Sequence, residues 1–276
     1  MHFSIVIPVF NAGSKIGKTL SGLLAQTSVL DGRDSFDCIV VDGASSDDTL
    51  DHVAGFQDDR ITVISEPDKG MYDALAKGLA RTKGDVTSYL PAGEVFDENA
   101  FAVVSDVLGR FPDINWLTGR SVTRNADGVI TDSFLPHPFQ RRYIACGMYG
   151  TRLPALQQES TFWRASLTQE IDLDALRPLK LAGDYFIWKT FAENHDLYVV
   201  NSHLGAFSIE QGQLSQQVRG AYRKELRTLR RRPTFIERAG ALVHRLRTKY
   251  RQPRKNAPRL IRYDHGAACW VMKNKG

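Results

Sequence analysis

The sequence predicts an α/β fold: a mostly parallel sheet flanked by helices, followed by a basic, α-helical C-terminal extension. Three observations carry this expectation. Short apolar runs recur through the first half of the chain, the segments between them have helical spacing, and the last quarter concentrates positive charge. Strands buried on both faces read as continuous apolar runs, and parallel strands need helical crossovers, so the first two observations belong together.

Residues 3–10 (FSIVIPVF) form a short β-branched run that stops at Asn11-Ala12-Gly13, the pattern of a buried strand. Over 14–26, Ile16, Leu20, Leu23 and Leu24 recur at helical spacing. A second buried strand covers 37–42 (DCIVVD), and Ser46-Asp47-Asp48 then starts a helix. A third strand is expected at 61–65, a helix at 71–81 and a fourth strand at 86–90. Beyond 115 the pattern loosens. Asp127-Gly128 between β-branched runs signals a hairpin over 121–131, and 133–156, rich in Pro, Gly and aromatics, reads as a long loop. A segment at 160–167, a helix near 184–193 and a strand at 197–201 follow. After Ser215 the chain reads as two helices broken near Pro233, then a Pro-containing tail. The organisation expected is a main domain over 1–215 and an extension over 216–276.

The 276 residues carry a formal charge of +5, and this total is unevenly distributed. Between Arg219 and Arg262 stand sixteen Lys and Arg against Glu225 and Glu237, a net +14, which leaves −9 for the rest. Such asymmetry points to a polyanionic partner or an anionic membrane surface. No stretch approaches the roughly 18 apolar residues of a membrane-spanning helix. The N-terminus lacks the basic and apolar regions of a secretory signal. Cys38, Cys146 and Cys269 are odd in number and far apart, which indicates neither a disulfide framework nor a zinc site. The seven histidines show no HxxH or HExxH spacing. A reducing cytoplasm is the expected home.

In parallel sheets, ligands gather beyond the carboxyl ends of the strands. Asp42 ends the second strand, Asp68 follows the third and Glu94 follows the fourth. Alone, each is an ordinary turn or helix-cap residue. Together on one rim they suit the binding of a base or ribose and of a divalent cation set against phosphates. Asp47, Asp48 and Asp73 read instead as helix-start and surface groups.

The motifs carrying these acids resemble the inverting family 2 glycosyltransferases of GT-A fold, particularly the branch with bacterial colanic-acid-type enzymes. The resemblance runs from about Phe3 to Ser215 in the expected order: FSIVIPVFN, CIVVDGASSDDT, SEPDKGMYDALAKG, YLPAGEVF, QESTFWRASL, LAGDYFIWKTFAE and LGAFSIEQGQLS. It implies a nucleotide-sugar half over about 1–114 and an acceptor half over about 115–215. By the same resemblance, Pro8, Val9 and Phe10 line the nucleotide base, and Asp42 hydrogen-bonds base or ribose. Asp68, Lys69 and Gly70 border the nucleotide and donor sugar, and Glu94 binds a divalent cation, Mn or Mg. Asp184 is the general base, and Glu159 and Trp163 lie on the acceptor side. The implied reaction moves a sugar from a nucleotide-sugar donor to a saccharide or lipid-linked saccharide with inversion, in bacterial surface polysaccharide or lipopolysaccharide synthesis.

The sequence departs from the family pattern at several positions. Ala92-Gly93-Glu94 stands where relatives often carry Ser-Gly-Asp, and Ser208 and Glu210 stand where they often carry basic residues or His. These departures motivate a second reading, a nucleotide-sugar-binding protein with weak or no transfer. A third reading is a basic-tail adaptor. In 234–250 (TFIERAGALVHRLRTKY), Phe235, Ile236, Ala239, Leu242, Val243, Leu246 and Tyr250 recur at helical spacing among arginines. Such a helix lies in the interface of an anionic membrane, on the inner face of the cytoplasmic membrane for this chain, or packs on its own domain or across a homodimer. Nucleic acid is the poorer reading of 219–262, since no binding module accompanies the charge.

Overall fold

The computed structural model describes residues 1–209, 219–248 and 251–273. Strand β1 (His2–Val9) is apolar and almost wholly buried. Its side chains alternate between two cores: Phe3, Ile5, Ile7 and Val9 enter one, and Val6 the other. β2 (Ser35–Asp42) repeats the pattern, with Cys38 and Val40 on the first side and Ile39 and Val41 on the second. β3 (Ile61–Ser65) and β4 (Val86–Tyr89) complete the parallel group expected from the sequence. β1 lies between β2 and β4, and β2 pairs with β3, all parallel. Covering helices run over Ser14–Leu24, Thr49–Ala54, Met71–Leu79 and Ala100–Arg110. A parallel arrangement of this kind brings Val9, Asp42 and Ser65 into direct register at one edge.

The remaining strands extend and cross this frame. β5 (Val95–Phe96), β6 (Trp116–Thr118), β7 (Ser121–Arg124), β8 (Ile130–Phe134), β9 (Thr161–Arg164), β10 (Leu197–Val200) and β11 (Gly205–Ser208) follow in chain order. β9 runs antiparallel between β4 and β6, so the sheet is mixed although mostly parallel. β5, β11, β7 and β8 make a separate four-stranded sheet, in which β7 and β8 are the expected hairpin. The expected loop over 133–156 includes the end of β8 and the helix Arg141–Ala145.

The C-terminal extension differs from the expectation. Two helices, Arg219–Leu229 and Phe235–Thr248, fall on either side of Pro233 as read from the sequence. The expected Pro-containing tail is instead two strands, β12 (Leu260–Asp264) and β13 (Cys269–Met272). β12 pairs in parallel with β10, and β13 closes the edge of a nine-stranded sheet. Ile261 and Trp270 thereby enter the first core. Arg259 and Arg262 flank and mask the apolar pair Leu260-Ile261, whereas Cys269–Met272 is an apolar run too short to tell strand from helix by itself.

Ile261 is fully enclosed. We expect Ile261→Ala to cost about 3 kcal/mol of unfolding free energy in urea titration. A change within a few tenths of a kcal/mol would mean that the last segment is not part of the core.

Candidate active site

The loops that follow the two central strands of the parallel group, β1 and β2, are sewn together. The Asn11 N–H donates to Ser45 Oγ (2.8 Å), and the N–H of Ser46 donates to Asn11 Oδ1 (2.9 Å). The amides of Ala12 and Gly13 both donate to Thr49 Oγ1 at 2.9 Å. Asp47 accepts from the Thr49 amide at 3.1 Å, which fits its reading as a helix-start group. Beyond β1 the Phe10 ring is 62% exposed on the rim, whereas Pro8 and Val9 are buried within the strand.

Asp42 is fully buried, and its carboxylate oxygens are taken by neighbours. Ser45 donates its amide and hydroxyl, and Ser65 Oγ donates at 2.7 Å. The expected hydrogen bond to base or ribose therefore meets an acceptor already engaged. Burial of a charge requires such partners, and here they fix both serines at the strand ends. Asp68 is close by: a side chain at Gly43 would meet its Oδ2 at 2.5 Å, which accounts for Gly after Asp42. Asp68 Oδ1 accepts the Gly70 amide at 2.7 Å. Asp73, expected at the surface, is buried. It accepts the Lys69 amide (3.0 Å) and Arg177 Nη1 (2.9 Å), and so holds the Asp68-Lys69-Gly70 loop.

Glu94 follows β4 and is buried, with Oε2 accepting the Ser208 amide at 2.8 Å. Glu159 lies in the turn Gln158–Ser160 that precedes β9 and is also buried. Burial first, and then the charge of Glu94, hold the Glu159 carboxyl well above the usual carboxylate range. Trp163 is a correction. Although near Glu159 in sequence, it is fully enclosed in a cluster with Trp188 and Phe191, and its Nε1 donates to Thr168 Oγ1 at 2.9 Å. Its ring is core and offers no face to an acceptor.

Asp184 opens the helix Gly183–Asn194. A carboxylate in a first turn is favoured by the helix dipole by roughly 0.3–1 kcal/mol. Burial opposes this and wins, pushing the carboxyl from 3.8 up to about 6. That rise corresponds to about 3 kcal/mol. The Tyr222 hydroxyl stands 3.4 Å from both Asp184 oxygens and donates toward them. Gly183 is required by close approach, since a side chain there would meet the Tyr72 ring at 2.3 Å. Glu225 then fastens the loop before the helix: its carboxylate accepts the amides of Lys180, Leu181 and Ala182 at 2.8, 2.6 and 2.7 Å.

Fold and rim together meet their counterpart in known sequences: the model of glycosyl transferase family 2 matches residues 4–144. The chain belongs to this family. It is 26% identical over 129 residues to a PGL/p-HBAD biosynthesis glycosyltransferase of Mycobacterium bovis, covering 45% of this chain and 48% of that protein. It is 31% identical over 177 residues to an uncharacterised glycosyltransferase of Mycobacterium tuberculosis, covering 62% and 63%. The chain thus spans about half the length of the first relative. Among solved structures, Staphylococcus aureus TarS 1–349 in complex with UDP-GlcNAc superposes with a TM-score of 0.60 at 17% identity, covering 77% of this chain and 60% of that one. The mannosyltransferase PcManGT of Pyrobaculum calidifontis, in complex with GDP-Man and Mn2+, gives 0.55 at 14%, covering 89% and 75%. These likenesses establish the GT-A-like fold.

The charges of Glu94 and Asp184 both act on the Glu159 carboxyl, and Lys180, just before the Asp184 helix, donates to the Lys69 carbonyl of the loop after β3. Sequence reasoning missed Tyr222, Glu225 and the serine partners of Asp42. Glu225 had a signal: it is one of two acids in the most basic stretch of the chain. Glu210 lies outside the described residues.

Two expectations follow. Glu225→Ala strands three amides and should cost about 2–3 kcal/mol by thermal or urea unfolding, with Glu225→Gln intermediate. For Asp184 the folded pKa is raised, so its contribution to stability is present at pH below 3.8 and lost as pH rises through about 6. Asp184→Asn should therefore stabilise the fold at pH 8 by up to about 3 kcal/mol and leave it unchanged near pH 4. An equal Tm for both proteins across that range would refute the assignment of a strained carboxylate.

Proposed function

We propose that this chain transfers a sugar from a nucleotide-sugar donor to a saccharide or lipid-linked saccharide acceptor, with inversion at the anomeric carbon, in the synthesis of bacterial surface polysaccharide or lipopolysaccharide. The observation that carries the reading is Asp184, a buried carboxylate pushed up to about 6 in the first turn of its helix in a family 2 chain. A general base works best with a pKa close to the operating pH, and burial supplies that match. The affinity to the colanic-acid-type branch and the lipid-linked acceptor rest on the motifs alone.

The reaction needs one displacement. The acceptor hydroxyl attacks the anomeric carbon and gives its proton to Asp184, while the bond from that carbon to the diphosphate oxygen breaks on the opposite face. Tyr222 donates to the carboxylate and favours the ionised form that accepts the proton. The Asp68-Lys69-Gly70 loop, pinned by Asp73, borders the donor, and the exposed Phe10 ring offers the base a stacking surface. Asp42 serves by fixing Ser45 and Ser65 rather than by direct contact.

A divalent cation, Mn or Mg, fits this chain through Glu94, with Glu159 as its neighbour. Among the described residues no three His, Cys, Asp or Glu groups assemble as ligands. Two buried carboxylates that act on one another nonetheless suit a cation whose other ligands are donor phosphates, as hard cations commonly bind. Bound there, a cation supplies charge neutralisation for the diphosphate leaving group. Among the described residues no helix is long and apolar enough to cross a membrane. A lipid-linked acceptor would bring the chain to an anionic membrane surface through 219–262, as a peripheral protein on the cytoplasmic side.

Asp184→Asn should lower transfer by at least about 10³-fold while calorimetry with UDP, GDP or dTDP and Mn2+ gives an unchanged Kd. Full transfer by this variant would remove Asp184 as base. In the wild type, kcat/KM should rise with pH along an acid limb centred near 6. Tyr222→Phe should move that limb to higher pH.

A further inference from the structure

The helix Phe235–Thr248 is amphipathic, and it is mounted with its apolar face outward. On the inner side only Ala241 is buried, and Gly240 lies against the Tyr143 hydroxyl. On the outer side Phe235 is 84% exposed, Ile236 77%, Leu246 67%, Leu242 56% and Val243 45%. At 100° per residue these five side chains and the exposed Ala239 fall within one sector of about 120°. A soluble surface helix has the reverse arrangement, with its large apolar residues turned to the core. Intramolecular packing, one of the readings left open by the sequence, therefore does not account for this stripe.

Charge flanks the stripe on both sides. Arg238 and Arg245 line one border and Arg247 the other, and all three are exposed. Beside the C-terminal end of the helix opens a cleft of about 900 Å³, lined by His137, His244, Arg251, Arg254, Lys255 and Lys273 among others. No Asp or Glu is among its described lining residues. An apolar stripe bordered by cations, next to a cleft with cationic walls, matches the chemistry of an anionic bilayer: acyl chains below, phosphates at the rim. A second copy of the chain would match it poorly, because it would oppose arginine borders to arginine borders and bury them unpaired.

We propose that Phe235, Ile236, Leu242, Val243 and Leu246 insert into the interface of an anionic phospholipid bilayer, and that the cleft at Arg254, Lys255 and Lys273 takes a lipid phosphate headgroup. This gives the membrane contact of the proposed function a specific face and a specific headgroup site. It stands or falls without transfer activity, because vesicle binding is read with neither donor nor acceptor present.

The test is co-sedimentation of the full chain with phosphatidylcholine vesicles and with vesicles of about seven parts phosphatidylcholine to three parts phosphatidylglycerol. The wild type should bind only the anionic vesicles, and high salt should weaken that binding. The double variant Leu242→Asp/Leu246→Asp should lose at least about ten-fold in binding. Arg254→Ala/Lys255→Ala should lose about twenty-five-fold, since each cation near the surface contributes roughly five-fold. All four side chains are exposed, so both variants should keep the wild-type Tm and nucleotide affinity. Several results would overturn the proposal: no wild-type binding to anionic vesicles, unchanged binding by the Leu242/Leu246 variant, or a wild-type dimer that this variant converts to monomer. Preference for an oligonucleotide over the anionic vesicles would also overturn it. Unchanged binding by the Arg254/Lys255 variant alone would overturn the headgroup site.

Discussion

Parallel pairing of β1 with β2 and β4, and of β2 with β3, is the constraint from which the site follows. Because all four strands run the same way, each one releases its chain at the same edge, and the residues just past each strand become neighbours whatever their distance in sequence. Val9, Asp42 and Ser65 share one line across the sheet for this reason. An antiparallel order would have sent alternate ends to the opposite side and scattered the acids. The apolar strands make the arrangement stable, since both faces are covered and the alternating side chains fill two separate cores.

Concentrating carboxylates at that edge has an electrostatic cost, and the molecule meets it in different ways at different positions. Asp42 is surrounded by donors, Asp73 is paired with Arg177 and the Lys69 amide, and Glu225 is filled by three amides. Each of these acids is satisfied by partners within the fold. Asp184 and Glu159 are held above the ordinary range because burial outweighs the hydrogen bonds they accept. Carboxylates perturbed in this way are the candidates for the chemistry proposed above. A carboxylate with all its acceptor positions filled has little left to offer a substrate, whereas one kept destabilised gains by taking a proton.

The first four strands and their helices were legible because each carries an uninterrupted period over several residues, with turn residues at its ends. The acids past those strands were legible for the same reason. What the sequence concealed depends on contacts between distant segments. Trp163 follows Glu159 closely, yet strand alternation in β9 turns it into the core. Asp73 reads as a solvated helix start until Arg177, far along the chain, is placed against it. β12 and β13 lie in a basic, Pro-containing stretch, and they become strands by pairing with β10 and with each other. The apolar stripe of the Phe235–Thr248 helix was visible in the sequence, but periodicity says only that a face exists. Which way it points is a property of the assembled fold.

The basic extension is therefore three devices in succession rather than one charged tail. Its first helix, Arg219–Leu229, supplies Tyr222 and Glu225 and buries Leu226 against Ala182 and Tyr185. Its second helix rests on Tyr143 of the Arg141–Ala145 helix. That helix is in turn bound to the one bearing Asp184: Tyr185 donates to the Ala145 carbonyl at 3.0 Å, and Arg141 Nε donates to the Ala192 carbonyl at 2.8 Å. Its strands close the sheet. An outward apolar face on a detached tail would tether the protein to a surface without orienting it. Mounted through Tyr143 and the helix that carries Asp184, the same face would, in the membrane contact proposed above, set the height and tilt of that carboxylate over the surface. The positive charge that looks like a separate property of the chain is thus carried on elements packed against the segment that bears Asp184.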